Sequence, residues 1–60
     1  MRILKKFLIE AQGKNVNVNI KDFLYSGTLS EFDDAHILIK DQSGEQAISI
    51  IEITDISRDY

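Results

Sequence analysis

Few side chains in this 60-residue chain could take part in acid–base or nucleophilic chemistry. The chain has one histidine, His36, which follows the adjacent acids Asp33 and Asp34. Consecutive strand residues point to opposite faces of a sheet, so two adjacent acids are poorly placed to act together as a catalytic pair. No nucleophile completes a catalytic set with His36. We therefore expect no enzymatic activity and no catalytic residue.

The residue types that hold metal ions or phosphate groups are also poorly arranged. Because the chain has no cysteine, it forms neither a disulfide nor a cysteine-ligated zinc site, and one histidine argues against a histidine-rich site. Asp41, Ser43 and Glu45 alternate like the first ligands of a calcium loop, but the segment is too short for that loop and is typical of a turn. Nothing resembles a phosphate-binding loop. We expect no metal, no cofactor and no small-molecule substrate.

The cationic side chains are concentrated near the N-terminus. Residues 1–14 contain four cations and one acid, a net charge of +3, whereas residues 15–60 contain three cations and nine acids, a net charge of −6. A basic arm on an acidic body is informative about partners rather than about fold. The cations of this arm are Arg2, Lys5, Lys6 and Lys14. They either contact phosphate groups, which gives salt-dependent affinity, or form the solvated face of a helix.

The length of the chain limits how it can be stabilised. A domain of this size buries only about 60% of its unfolded surface, and such domains commonly need disulfides, metal or oligomerisation. Since the first two are excluded, we expect oligomerisation. No apolar run approaches the roughly 20 residues that span a bilayer, and no signal-peptide cleavage site follows the basic N-terminus. We expect a cytoplasmic protein without a membrane partner, in agreement with its lack of cysteine.

The first predicted element is a short amphipathic helix over residues 2–12. Its apolar stripe follows the helical spacing and consists of Ile3, Leu4, Phe7, Leu8 and Ala11. Gly13 is suited to end this helix, and Lys14 is favourable near that end of the helix dipole. An isolated helix of this length is marginal in water, so its stripe must pack on the strands or on a neighbouring subunit.

Five short strands follow in the sequence pattern. They are predicted over residues 15–20, 23–29, 35–40, 45–51 and 53–56, with a polar tail over 57–60. The first strand alternates asparagine with apolar residues, which indicates one face in the core. Gly27 interrupts the second strand and indicates a bend, a bulge or a close backbone approach. The pattern predicts a mainly β fold: one domain over residues 1–60, a helix followed by a strongly bent, five-stranded antiparallel small barrel.

The stretch around Gly27 resembles the first sequence motif of the Sm and Lsm proteins. The motif, Gly-x-Leu-x-x-Phe-Asp-x-x-hydrophobic, is present as Gly27, Leu29, Phe32, Asp33 and Ile37. The run Ile37-Leu38-Ile39 is more similar to bacterial Hfq than to the eukaryotic branch. The resemblance implies an Sm-like barrel and a homo-oligomeric ring of about six or seven copies that holds single-stranded RNA. Strand four of one copy would pair with strand five of the next, with interface candidates Ile48, Ile50, Ile53 and Ile56.

The same resemblance implies RNA contacts around the corner after the second strand. In the family, the aspartate at the position of Asp33 shapes the nucleotide-binding loop. A corner aspartate with a purely structural role would make the same bonds to nearby backbone N–H groups, so the geometry alone does not distinguish the two roles. Ala35 occupies the position at which the family has a residue that stacks on a base. Ile37 occupies the position at which the Sm and Lsm proteins have an asparagine that contacts a base. His36 either stacks a base or is a strand histidine half-covered by its neighbours. Tyr25 either offers a stacking surface or belongs to the core.

The second Sm motif is degenerate in this chain. Ser49-Ile50-Ile51 stands in the region where the family carries charged residues that contact RNA. Two functions therefore remain open from the sequence. The first is a ring-forming RNA-binding protein without enzymatic activity, and the second is an Sm-type barrel that serves as a protein-assembly module without RNA binding.

Overall fold

The structure, a computed structural model, describes residues 5–59 and is mainly β. The elements are α1 (Lys5–Ala11), β1 (Asn15–Ile20), β2 (Phe23–Phe32), β3 (His36–Asp41), β4 (Gly44–Ser49), a 3-10 turn (Ile50–Glu52) and β5 (Asp55–Arg58). All five strands are antiparallel and form one sheet in the order β4-β3-β2-β1-β5. The predicted class, a helix followed by five antiparallel strands, is confirmed. In the described residues, no helix has the length and apolar character that crossing a membrane requires.

The helix packs its apolar stripe on the sheet. Leu8 and Ala11 are buried in the core, and Phe7 packs against it. The predicted helix spanned residues 2–12, of which residues 2–4 lie outside the described residues. Gly13 follows the helix with φ +82°, and its N–H donates to the carbonyl oxygen of Leu29 at 2.8 Å. The end of the helix is therefore tied directly to β2, as expected of a glycine that can adopt the left-handed conformation.

Strand β1 has the bounds predicted from its alternation. Val16 and Val18 are fully buried, so the asparagines that alternate with them lie on the outer face. There the Ser26 hydroxyl donates to Asn17 Oδ1 at 2.7 Å, and the Thr28 hydroxyl donates to Asn15 Oδ1 at 3.1 Å. These cross-strand bonds hold two residues of low strand propensity in the sheet.

Strand β2 is longer than predicted and carries an irregularity in its pairing. It pairs with β1 as far as Thr28 and with β3 from Thr28 onwards, so this residue has strand neighbours on both sides. The register shifts between Leu29 and Glu31, which makes Ser30 a bulge. A bulge adds one residue to one strand, so Leu29 and Phe32 can both point inward although they are three apart. Because of this bulge the strand continues to Phe32, where the sequence pattern predicted a corner.

Gly27 lies where β3 comes close to β2. A Cβ added at Gly27 would lie 2.7 Å from the Ile39 Cγ2 atom and 2.7 Å from the Lys40 carbonyl oxygen. The pattern left three possibilities at this glycine, a bend, a bulge or a close backbone approach. The structure shows the close approach here, and the bulge lies three residues further along. Only glycine leaves room for this crossing.

The last two strands differ from their predicted bounds. Strand β4 ends at Ser49 instead of residue 51, because the next residues form a 3-10 turn in which the Ile53 N–H donates to the Ile50 oxygen at 3.1 Å. Strand β5 then covers Asp55–Arg58 instead of residues 53–56. Ser57 and Arg58, predicted to be in the polar tail, pair with residues of β1.

The sheet curls around one core but is not closed. The core cluster contains residues of α1, of all five strands and of the turn before β5: Leu8, Ala11, Val16, Val18, Leu29, Ile37, Ile39, Ile48, Ile53 and Ile56. A flat sheet could not bring its two edge strands into one cluster, so the sheet is strongly curved. Within residues 5–59, however, β4 pairs only with β3 and β5 only with β1. In place of a closed barrel, the structure is therefore a curved sheet with two free edges.

Replacing Gly27 by alanine should destabilise the fold by about 1–3 kcal/mol, because the new methyl group meets backbone that cannot move aside easily. Urea unfolding followed by circular dichroism measures this change. Ser57→Ala, at an exposed β5 position, is the control and should stay within about 0.5 kcal/mol of the parent. A Gly27→Ala variant as stable as this control would contradict the close approach of β2 and β3.

Candidate functional site

Asp33 organises the corner between β2 and β3. Its Oδ1 atom accepts hydrogen bonds from the backbone N–H groups of Ala35 and His36, both at 2.7 Å. Its own N–H donates to the His36 carbonyl oxygen at 2.9 Å, which closes the corner. The aspartate thus holds the loop by bonds to its backbone, in the geometry that both interpretations of the sequence predicted.

These bonds also determine the electrostatics of the corner. The N–H groups of Ala35 and His36 lower the pKa of Asp33 below its usual value, because they stabilise the carboxylate, and the His36 side chain lowers it further. The His36 Nδ1 atom lies 3.8 Å from Asp33 Oδ1, and both side chains are more than half exposed. At that distance and exposure the pair is a weak ion pair, present only when the histidine is protonated.

A small hollow lies between α1, the corner and the 3-10 turn. It has a volume of about 270 Å³ and is lined by Lys5, Leu8, Phe32, Asp33, Asp34 and Ile50. The structure therefore brings one predicted phosphate contact, Lys5, to the predicted RNA-binding corner. It also places two acids at the same hollow, and these reduce the attraction of Lys5 for a phosphate group.

The other predicted phosphate contacts lie apart from this hollow. Lys6 and Lys14 are exposed, and in residues 5–59 neither side chain makes an ion pair. Arg2 lies outside the described residues. Lys6 is on α1 with Lys5, and Lys14 follows the end of that helix. The described cations of the arm are thus solvent-accessible but do not converge on one pocket.

Of two corner residues predicted from the Sm resemblance to contact RNA, one is exposed and the other is buried. Ala35 is exposed, and its carbonyl oxygen accepts the Ile50 N–H at 2.8 Å. Ile37 is fully buried in the core, so its side chain cannot contact RNA on the surface. The prediction of Ile37 as a contact residue therefore needs correction: its position in β3 makes it a core residue, facing Ile48 and Phe32 of the adjacent strands.

Tyr25 lies in a second, separate groove between the β1–β2 hairpin and β4. This hairpin groove has a volume of about 420 Å³ and shares no lining residue with the corner hollow. The half-buried Tyr25 ring stands 6.4 Å from that of Phe23, at an interplanar angle of 38°. Phe23 is 65% exposed, although strand alternation assigns it to the inner face. The sheet ends at this residue, so the core does not reach far enough to cover it.

The predicted interface isoleucines contribute little apolar surface. Ile48, Ile53 and Ile56 are buried in the core of their own chain, and Ile50 is partly buried against it. Their side chains are therefore not free to form an apolar interface. What β4 and β5 offer to a neighbour is their free backbone edge.

The described residues contain no prepared site for a metal ion. Residues 5–59 include no group of three or more His, Cys, Asp or Glu side chains placed to bind one. In this part of the chain every buried side-chain polar atom also has a hydrogen-bond partner. The exposed surfaces, namely the corner, the hairpin groove and the two sheet edges, are thus the features that a functional account must use.

Comparison with models of protein families, with curated proteins and with solved structures gives no match for this chain. The resemblance to the Sm proteins stays a prediction from the residues of the first motif.

The lowered pKa of Asp33 predicts an acid-dependent contribution to stability. Because its pKa is lower in the folded chain than the usual 3.8, its carboxylate stabilises the fold above about pH 4, and this contribution is lost as the pH falls through the folded value. The variant Asp33→Asn should therefore be less stable than the parent at pH 6, with a difference that shrinks towards pH 2. The midpoints of urea unfolding, measured for both proteins between pH 2 and pH 6, give this difference in stability.

Asp34→Asn is the matched control, since the side chain of Asp34 makes no hydrogen bond in the described residues. Its stability should follow that of the parent at every pH. A difference between Asp33→Asn and the parent that stays constant from pH 6 to pH 2 would contradict the role of the charged carboxylate.

Proposed function

We propose that this chain is a non-enzymatic β module that assembles with copies of itself into a ring, and that the ring holds single-stranded RNA. The observation that supports the assembly is that the sheet is open: its edge strands, β4 and β5, are not paired with each other within the described residues. Each free edge presents backbone N–H and C=O groups that another strand can pair with. Pairing β4 of one copy with β5 of the next satisfies both edges at once.

The composition of the β4 edge supports this pairing. Natural edge strands are commonly protected by lysine, proline or inward-pointing charges. Strand β4 contains neither lysine nor proline, and Glu45 is its charged residue. A contact between two different edges of identical copies is heterologous, and it forms a closed ring when the rotation between copies closes. The proposed Sm-type ring of about six or seven copies is one such solution.

RNA binding is supported by the basic arm. Lys5, Lys6 and Lys14 are exposed at one end of the chain, where they are accessible to phosphate groups. In one copy they are too few to bind a polyanion tightly against a net charge of −6 on residues 15–60. A ring would repeat them in every copy, and the repeated weak contacts would add up to useful avidity. The mechanism is thus phosphate contact by the arm, with stacking on exposed rings such as His36.

A second candidate is the same assembly without RNA, acting as a protein-assembly module. The specific observation in its favour is the corner hollow, where Asp33 and Asp34 lie beside Lys5. The uncharged segment Ser49-Ile50-Ile51 also lacks the cations of the second Sm motif. This candidate shares the edge pairing and differs only in what the ring binds.

Native mass measurement after nuclease treatment tests the assembly. We expect a particle of about six or seven times the 6.9 kDa of one chain, because ring closure satisfies every edge. A monomer across the micromolar range would contradict the proposal. Nuclease treatment matters, since RNA carried through purification would raise the mass.

Titration with a fluorescent single-stranded oligoribonucleotide separates the two candidates. RNA binding through the arm predicts affinity that falls steeply with added salt and is lost in the double variant Lys5→Glu, Lys6→Glu. The single variant Lys6→Glu should weaken binding. Lys40→Glu makes the same charge change on β3 and should leave RNA binding unchanged. No binding to the parent at low salt would favour the assembly module, and unchanged binding in the double variant would exclude contact through these two lysines.

A further inference from the structure

The hairpin groove contains two aromatic rings that one ligand can contact together. Phe23 follows the two-residue turn of the β1–β2 hairpin, and Tyr25 lies two residues further along, on the same face of β2. Their ring centroids are 6.4 Å apart, at an interplanar angle of 38°. Phe23 is 65% exposed, so much of its ring is open to solvent, whereas Tyr25 is half-buried. The faces of aromatic rings carry partial negative charge and attract cations.

Two carboxylates line the same groove. Asp22 is in the hairpin turn, and Glu52 is in the 3-10 turn before β5. Both side chains are exposed, and among residues 5–59 neither makes a hydrogen bond or an ion pair. Lys21 also lines the groove, but it forms an ion pair with neither carboxylate. The two acids and one lysine leave the rim with a net negative charge, which favours a cationic ligand.

Aromatic rings beside free carboxylates favour one kind of cation. A guanidinium group is flat, stacks on aromatic faces and donates to carboxylates through a rigid fork of N–H groups. It is also more weakly hydrated than an ammonium group. This difference matters in a groove that is open to water, because a strongly hydrated group loses more when it leaves the solvent. The chemistry of the groove therefore favours the side chain of arginine.

The corner hollow, which also contains acids and a ring, is less suited to this ligand. Its volume is about 270 Å³, whereas that of the hairpin groove is about 420 Å³, within the range of roughly 300–1,000 Å³ for small-ligand sites. The ring that lines the hollow, Phe32, is half-buried. Asp33 already accepts two backbone N–H groups there. The hollow thus serves as an internal comparison for the groove.

We propose that the hairpin groove binds the guanidinium group of an arginine side chain from another molecule. The aliphatic stem of the ligand packs on Ile20, and its guanidinium stacks on the rings of Phe23 and Tyr25. The N–H groups of the guanidinium donate to the carboxylates of Asp22 and Glu52. Every residue that lines the groove belongs to one chain, so this inference goes beyond the proposed function and does not depend on the ring.

Titration of the isotope-labelled chain with N-acetyl-arginine amide, followed by the NMR shifts of backbone amides, is the first test. We expect saturable shifts at residues 20–25 and 46–49, with a roughly millimolar dissociation constant, because the ligand is small and the groove is open. N-acetyl-citrulline amide, a neutral ligand of the same shape, is the matched control and should bind at least about tenfold more weakly. Equal binding of the two ligands, or shifts confined to the corner residues 33–36, would overturn the proposal.

A pair of adjacent substitutions tests the aromatic contact. Phe23 and Leu24 are 65% and 63% exposed but lie on opposite faces of β2. Phe23→Ala should raise the dissociation constant at least about threefold, and Leu24→Ala should leave it unchanged. Phe23→Trp should lower the constant, since tryptophan gives the strongest cation–π contact. Circular dichroism establishes that the variants are folded. Equal weakening by Phe23→Ala and Leu24→Ala would contradict a site on the groove side of the strand.

Charge substitutions test the carboxylate contact. Asp22→Asn and Glu52→Gln should each weaken binding of N-acetyl-arginine amide, because each removes an acceptor with a full negative charge. Lys21→Asn should strengthen it by removing a like charge, and asparagine tolerates the left-handed backbone at this residue, where φ is +48°. Asp34→Asn, the same charge change at the corner, is the control and should have no effect. Equal weakening by Asp34→Asn and Asp22→Asn would show attraction to the net charge of the chain instead of a site in the groove.

A last comparison identifies the source of the arginine. A short extended peptide with one central arginine should bind more tightly than N-acetyl-arginine amide if the ligand is a segment of a partner protein. Equal affinities would assign the groove to free arginine or a similar small guanidinium compound. In both cases the guanidinium site stands. No saturable shift with either ligand up to about 50 mM, well above the expected millimolar constant, would overturn it.

Discussion

The close approach of β3 to β2 at Gly27 is the contact on which the rest of the structure depends. Because this position has no side chain, atoms of β3 lie within 2.7 Å of where a Cβ would be. The ten-residue strand β2, with its bulge at Ser30, pairs with β1 as far as Thr28 and with β3 from Thr28 onwards. Among residues 5–59, the curved sheet encloses a core of ten buried apolar residues. Within the described residues this curvature stops short of closing the sheet, so β4 and β5 remain unpaired edges.

Local patterns in the sequence predicted the parts of the fold that depend on local physics. The alternation of asparagine and apolar residues gave the bounds of β1, and Gly13 marked the end of the helix, because period and backbone freedom act over a few residues. The bulge at Ser30 and the 3-10 turn at Ile50–Glu52 left no such signal. Both depend on how distant strands pair, so β2 was predicted to be too short, β4 too long and β5 two residues early.

In the candidate sites, too, features set by neighbouring residues were predictable from the sequence, and features set by distant packing were not. The position of Asp33 in a corner predicted that its carboxylate accepts hydrogen bonds from the N–H groups that follow it, and it does so. Burial was harder to foresee. Ile37 carried a predicted RNA contact but is a core residue, and Phe23 has a core-like position in the strand but is exposed because the sheet ends there. The hairpin groove, which brings Glu52 of the 3-10 turn beside the β1–β2 hairpin, could not be predicted without that turn.

Amide hydrogen exchange as a function of protein concentration tests most directly the claim that the two edges pair between copies. Amide groups of Gly44–Ser49 and Asp55–Arg58 that make no hydrogen bond within the chain should exchange fast when the protein is dilute. At concentrations where copies associate, edge pairing predicts that these groups become protected, in β4 and β5 together. The amide groups of β1, which has a strand on each side, should change little. Fast exchange at both edges at every concentration would contradict the account.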